Sequence, residues 1–259
     1  MPSAVTYNMK SICFENILRA KVGITNYEET AKQILDWAEK EKRCYVCAAN
    51  VHMVMETHDN ASLRKIVNQA DLVVPDGMPL VWMLRLLGHR IDERVYGPTL
   101  MLRILEAAAR HSITVGFYGG APDVLNRLLI NLRNRYPDLL MAYRFSPPFR
   151  KLTPEEDRTI VRNIKASKTR ILFVGLGCPK QEYWMATHVK RIQAVLVGVG
   201  AAFDFHAGKI RQAPKMLQDY GLEWLFRLVA EPGRLWKRYL KQNPRFAVLG
   251  MMELARKRR

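Results

Sequence analysis

The sequence predicts an α/β fold, in which helices cover both faces of a mostly parallel sheet and a basic helical appendage follows at the C-terminus. Two observations predict the first part: short apolar runs alternate with amphipathic helical stretches, and several of these runs are apolar at every position, as in strands covered on both faces. A third predicts the appendage: no strand pattern follows Phe205, and basic residues are concentrated beyond it. The expected architecture is Rossmann-like.

Six segments have the composition of strands, at residues 44–50, 71–75, 113–120, 139–145, 170–177 and 194–203. Helix start signals lie between them. Thr25 stands three residues before Glu28, and Thr153 stands three residues before Glu156, which is the spacing of a capping box. Pro122 occupies the first position of a further predicted helix. The alternation of strands and helices predicts parallel strand order.

The chain is expected to divide into an α/β domain over residues 1–206 and a helical appendage over residues 207–259. The appendage holds 13 Lys and Arg against four acids, and so carries +9 of the formal net charge of +17. Two or three helices are predicted in it, separated near Pro232 and Pro244.

So basic a protein is expected to meet an anionic partner: a phosphorylated substrate, an acidic membrane surface or a nucleic acid. Arg234, Arg238 and Lys241 would share one helix face, and tryptophan and leucine residues accompany them. This combination favours the headgroup region of an anionic bilayer, although a docked helical cap with a solvated charged face has the same pattern. No nucleic-acid-binding motif is present, so nucleic acid is not the expected partner.

The cysteines and the N-terminus predict an intracellular protein. Cys44 and Cys47 form a CxxC, but their spacing along a strand places the thiols on opposite faces, so we expect buried free cysteines and a reducing cytosol. We find no signal-peptide pattern, and the longest apolar run, "AVLVGVGAAF", is about half of a membrane span. A soluble or peripheral protein is expected.

Polar residues follow several predicted strands, where the carboxyl ends of a parallel sheet form ligand sites. Asp76 has two interpretations: it caps the helix that begins at Pro79, or it faces the cleft as a general base whose pKa burial has raised. Asn50 is a helix cap or a ligand of sugar hydroxyls. In "VGLGCPKQEYW", the glycines and Gln181 form either a phosphate-binding loop or a tight turn. No metal or cofactor motif appears, so neither is expected, and Arg, Lys and helix dipoles would neutralise substrate phosphates.

Three motifs, "ADLVVPDGMPLVW", "GLGCPKQEYW" and "GLEWLFRLVAEPGRLWKRY", resemble the WecG/TagA/CpsF family of glycosyltransferases, over a region from about Val22 to Tyr239. The resemblance implies transfer of a sugar from a UDP-sugar to a polyprenyl-diphosphate-linked saccharide, with inversion and without an essential metal. It implies work at the cytoplasmic face of the plasma membrane, in the synthesis of teichoic acid or other surface polysaccharides.

The resemblance also implies roles for individual residues. Asp76 corresponds to the proposed catalytic base, and the C-terminal tail closes over the active site and contacts the membrane. The substrate-binding positions are then Asn50, Gly77, Arg94, Gly177, Gln181, Arg227, Arg234, Lys237 and Arg238.

The donor sugar is left open between N-acetylmannosamine and a hexose such as glucose, because Ala48 stands where family members often have threonine. A non-catalytic nucleotide- or nucleic-acid-binding protein is the alternative to an enzyme. A homo-oligomer is left open as well.

Overall fold

The computed structural model describes residues 12–257, except for the side chains of Asp219 and Arg234. The strands in this part are β1 (Cys13–Ile17), β2 (Ala20–Ile24), β3 (Cys44–Ala49), β4 (Leu72–Pro75), β5 (Val115–Gly119), β6 (Met141–Phe145), β7 (Ile171–Gly175) and β8 (Val195–Gly198). The helices are α1 (Tyr27–Glu39), α2 (Val51–Asp59), α3 (Ala61–Asn68), α4 (Met78–Leu86), α5 (Gly97–Arg110), α6 (Pro122–Arg135), α7 (Pro154–Ala166), α8 (Lys180–His188), α9 (Ala202–His206), α10 (Lys215–Asp219), α11 (Glu223–Ala230) and α12 (Pro232–Lys257).

Six strands form one parallel sheet in the order β4-β3-β8-β7-β5-β6, with helices on both faces. This confirms the predicted Rossmann-like α/β fold. Each of the six segments predicted as strands contains one of these strands. The last prediction was too long, because β8 ends at Gly198 and residues 202–206 form the short helix α9.

The sequence did not predict the antiparallel hairpin of β1 and β2. Its turn consists of Leu18 and Arg19, which have φ angles of 47° and 73°. Hairpin turns of this kind usually contain glycine, asparagine or aspartate, because those residues adopt positive φ at little cost. The turn signal was therefore missing from the sequence.

The two faces of the sheet bury separate apolar clusters. Cys44 belongs to the cluster with α1, α5 and α6, and Cys47 to the cluster with α2, α4 and α7. Both thiols are free and buried. The prediction of buried cysteines on opposite faces of a strand is confirmed.

Two of the three predicted helix starts are confirmed. Thr153 and Glu156 form the capping box of α7, and α6 begins at Pro122. The third was wrong by one residue: Asn26 caps α1 and accepts a hydrogen bond from the N–H of Glu29. Asparagine is as good a cap as threonine, so two adjacent candidates competed.

The C-terminal helices pack back onto the rest of the chain. A break lies at Pro232 as predicted, but the predicted break at Pro244 was wrong, since α12 runs through this proline. Glu253 near the end of α12 accepts a hydrogen bond from the N–H of Leu18 at 2.7 Å, and α12 also lies against α2. The division of the chain at residue 206 stays a prediction. None of the helices between residues 12 and 257 is both long and apolar enough to cross a membrane.

Candidate active site

Asn50 and Asp76 lie side by side at the carboxyl ends of the adjacent strands β3 and β4. The Asp76 side chain does not cap α4, whose N-cap is Gly77 without a side-chain hydrogen bond. Its Oδ1 instead accepts a hydrogen bond from the N–H of Gly97 at 2.9 Å, and its Oδ2 lies 3.5 Å from Nδ2 of Asn50. The helix-cap interpretation of Asp76 was therefore wrong. Asn50 does cap a helix, because its Oδ1 accepts from the N–H of Met53 at 3.2 Å.

The environment of Asp76 suits a general base. Burial raises the pKa of this carboxyl from 3.8 to about 6, against the opposing influence of Arg94 and the Gly97 N–H. Glu223 raises the pKa further by like-charge repulsion. Such a carboxyl is ionised at neutral pH yet holds a proton more strongly than an exposed aspartate, as a base catalyst requires.

Arg94 connects this carboxyl to the C-terminal helices. Its Nη2 lies 2.7 Å from Oε2 of Glu223 in α11 and donates a hydrogen bond to Oε1 of Gln218 in α10 at 2.9 Å. The guanidinium group also stacks on the ring of Tyr96, 4.3 Å from its centroid. The arginine is thus held on three sides, with its positive charge near Asp76.

A cavity of about 410 Å³ opens above the carboxyl ends of β3 and β4. Asn50, Asp76 and Arg94 line its polar end, and α11 and α12 form the opposite wall. This wall supplies Arg227 and Arg238, whose Nε atoms are buried without a hydrogen-bond partner. Buried polar groups are rarely left unpaired, so these two N–H groups are candidates for binding an anionic ligand.

Six of the ten predicted site residues line this cavity: Asn50, Asp76, Gly77, Arg94, Arg227 and Arg238. Lys237 is exposed on α12 outside the cavity, and the side chain of Arg234 lies outside the described part of the chain.

Gly177 and Gln181 are not among the residues that line the cavity. Gly177 lies in the loop after β7, and Gln181 lies in the first turn of α8. Gln181 connects α8 to the loop after β8: its Oε1 accepts a hydrogen bond from the N–H of Gly200 at 3.1 Å, and its Nε2 donates to Oε1 of the neighbouring Glu182 at 2.8 Å. The loop after β7 adopts a turn in which Gly177 has a φ of 78°. The assignment of Gly177 and Gln181 to substrate binding stays a prediction.

The sequence did not single out several residues that complete the site. Glu223, Tyr96 and Gln242 line the cavity. Gln242 contacts His52 of α2, with 2.8 Å between its Oε1 and Nδ1 of the histidine. The signal for Glu223 was an acid in an otherwise apolar segment, "GLEWLFRLV". Within residues 12–257 the structure shows no group of three His, Cys, Asp or Glu side chains arranged as metal ligands.

A carboxylate with a raised pKa, placed at the carboxyl ends of parallel strands and opposite half-buried arginines, is typical of an enzyme site that takes an anionic ligand. The model of the "Glycosyl transferase WecG/TagA/CpsF family" matches residues 15–259, and the chain therefore belongs to this family of glycosyltransferases. It is 29% identical, over 205 residues, to the N-acetylglucosaminyldiphosphoundecaprenol N-acetyl-beta-D-mannosaminyltransferase of Bacillus spizizenii; this match covers 79% of the chain and 77% of the relative.

Proposed function

We propose that this glycosyltransferase transfers N-acetylmannosamine from its UDP-sugar to N-acetylglucosamine linked to undecaprenyl diphosphate. The observation that carries the proposal is the position of Asp76 at the polar end of a cavity that is also lined by two arginines with buried, unpaired Nε atoms. The name of the Bacillus spizizenii relative supports the two sugars and the lipid. Ala48 packs beside Gly97 and not among the cavity residues, which weakens the case for a hexose donor.

Asp76 would act as the base of an inverting displacement. It accepts the proton of the acceptor hydroxyl while that oxygen bonds to the anomeric carbon from the face opposite UDP. The bond between the anomeric carbon and the phosphate oxygen breaks, and UDP leaves with the electron pair. Positioned base catalysis of this kind contributes about 10²–10⁴-fold.

The arginines would neutralise the diphosphates of donor and acceptor without a metal ion. Arg227 and Arg238 approach the cavity from the C-terminal helices, and both have a buried Nε available for a phosphate oxygen. Guanidinium groups bind phosphate through two parallel hydrogen bonds, so they can supply charge and orientation together.

We further propose that the enzyme is peripheral on the cytoplasmic face of the bacterial plasma membrane. Trp236 and Leu240 are 46% and 66% exposed on α12, and the exposed Lys237 and Lys241 accompany them. Exposed aromatic and apolar side chains beside lysines suit an anionic bilayer surface. A homo-oligomer stays an untested prediction.

The decisive test is Asp76→Asn, assayed with UDP-N-acetylmannosamine and the lipid-linked acceptor. We expect a loss of turnover of at least about 10²-fold with the fold retained. Asp92→Asn, an exposed acid in the loop before Arg94, is the matched control. Near-wild-type turnover of Asp76→Asn would exclude this residue as the base.

The same assay also tests the stereochemistry of the transfer and its independence of metal ions. Nuclear magnetic resonance of the product should show an anomeric configuration opposite to that of the donor, and EDTA should leave the rate unchanged. Retention of configuration would contradict the inverting mechanism. Loss of activity with EDTA that Mg²⁺ restores would contradict metal-independent transfer. A nucleic-acid-binding function would instead appear as DNA affinity that falls linearly with salt on a double-logarithmic plot.

A further inference from the structure

The cavity changes character along its length. Along α12, every fourth residue from Arg238 lines it, and the series runs from charge through the amide of Gln242 to Phe246, Gly250 and Leu254. Residues four apart are neighbours on a helix surface, and each such step turns about 40° around the axis, so this stripe is continuous and winds slowly around α12. From first to last residue it covers roughly 24 Å at 1.5 Å per residue.

Helix α4 supplies the facing wall with the same spacing. Met78, Trp82 and Leu86 line the cavity at intervals of four residues, beginning beside Asp76. The two walls meet closely, since a Cβ atom on Gly250 would lie 3.1 Å from Sδ of Met83. Glycine at this position therefore lets α12 approach α4, and the two helices enclose an apolar arm of the cavity.

The arm ends at the protein surface. Leu86 on α4 and Met251 on α12 both line it and are more than half exposed. The arm therefore connects the half-buried Asp76 carboxylate to solvent-exposed apolar side chains, and contiguous exposed apolar surface marks sites that bind apolar ligands, proteins or membranes.

We infer that the arm between α4 and α12 binds the first isoprene units of the acceptor lipid and leads its chain toward the membrane. This rests on the proposed function, which supplies a prenyl-linked acceptor. Such an acceptor carries a sugar, then a diphosphate, then an apolar chain. The cavity presents, in the same order, the Asp76 carboxylate, the arginines and the apolar arm.

The chain offers a matched pair of variants. Met251 and Met252 are 63% and 64% exposed on adjacent positions of α12, but only Met251 lines the arm. A carboxylate at Met251 would place charge against the prenyl chain, whereas the same change at Met252 would face away from the arm. Ala247→Trp, which would fill the arm, and Val248→Trp, which would not, form a second pair.

Binding of isopentenyl, geranyl and farnesyl diphosphate to the full chain, measured by calorimetry, tests the inference without catalysis. We expect affinity to rise with chain length by roughly tenfold or more in the wild type and in Met252→Asp, because each buried methylene contributes. Met251→Asp and Ala247→Trp should lose most of that gain, while their affinity for inorganic diphosphate, which has no prenyl chain, stays unchanged.

The same chain-length dependence in both members of each pair, or none in the wild type, would overturn the inference. Circular dichroism and thermal midpoints equal to wild type would show that the variants are folded. A protein that binds longer prenyl chains in this manner, yet transfers no sugar to any lipid acceptor, would support the groove and contradict the proposed function.

Discussion

Arg94 and Glu223 form a largely buried ion pair, with Nη2 of the arginine 2.7 Å from Oε2 of the glutamate. Arg94 precedes α5 in the α/β part of the chain, whereas Glu223 begins α11 in the C-terminal part. The two residues act on Asp76 in opposite directions: the arginine lowers the pKa of its carboxyl and the glutamate raises it. Docking of the C-terminal helices and basicity of the candidate base are therefore connected through one contact.

Glu223→Gln should shift the pH dependence of transfer. In the wild type the rate should fall as pH drops through about 6, where Asp76 becomes protonated. Removing the negative charge of Glu223 also leaves the positive charge of Arg94 unopposed, so the pKa of Asp76 should fall and the acid limb should move to lower pH. Profiles of kcat/KM from pH 4.5 to 8 measure this shift.

Glu106→Gln, on the exposed surface of α5, is the control and should leave the acid limb in place. An acid limb that is unchanged in Glu223→Gln would mean that this limb does not report Asp76 or that the ion pair has no influence on it.

Asp76→Asn should stabilise the protein above pH 6. Because burial raises the pKa of Asp76 in the folded state, ionising the group there costs free energy that the unfolded chain does not pay. A rise from 3.8 to about 6 sets an upper limit of roughly 3 kcal/mol on this cost at neutral pH. The cost disappears as pH falls from 6 toward 4, where wild-type Asp76 takes up its proton.

Urea unfolding of wild type and Asp76→Asn at pH 7.5 and pH 5 measures the effect. The advantage of the variant should be larger at pH 7.5. An equal difference at both pH values would show that the carboxyl is not destabilised by its surroundings.

The sequence predicted the parallel sheet and the pair of polar residues at the carboxyl ends of two of its strands, because both depend on local patterns. Buried parallel strands are apolar throughout, and Asn50 and Asp76 follow two such strands directly. The parallel register then places them side by side. The β1–β2 hairpin was missed because Leu18 and Arg19 adopt positive φ without a residue type that signals it.

The rest of the site depends on contacts between distant segments, which no local pattern records. Glu223 reaches Arg94 from 129 positions along the chain, and Gln242 reaches His52 from 190. Only the folded chain shows which wall of the cavity α12 forms. Gln181 shows the opposite case: its position after a strand predicted a ligand contact, whereas in the structure its side chain bonds to Glu182 of the same helix and to the loop after β8.

Charge reversal on α12 should weaken membrane binding. Lys237 and Lys241 are exposed, and each lysine near an anionic surface contributes about 1 kcal/mol. Lys237→Glu with Lys241→Glu should therefore reduce co-sedimentation with phosphatidylglycerol vesicles by more than tenfold at 0.1 M salt. Arg162→Glu with Lys165→Glu, on the exposed face of α7, is the matched control with the same net charge. Equal loss in both pairs would mean that net charge, and not this helix, governs the association.

Gln181→Leu separates a structural role from a role in donor binding. Gln181 is 3% exposed, and leucine of similar size would leave the N–H of Gly200 and the Oε1 of Glu182 without this partner. Leaving a buried polar group unsatisfied costs about 1–3 kcal/mol, and burial already raises the pKa of Glu182. We expect a lower thermal midpoint, by about 2–4 °C per kcal/mol for a chain of this size.

Lys180→Leu, at the exposed neighbouring position, should leave the midpoint within a degree or so of wild type. A folded, equally stable Gln181→Leu with a raised KM for the UDP-sugar would instead show that Gln181 contacts the donor, because loss of a purely internal hydrogen bond has to appear in the stability.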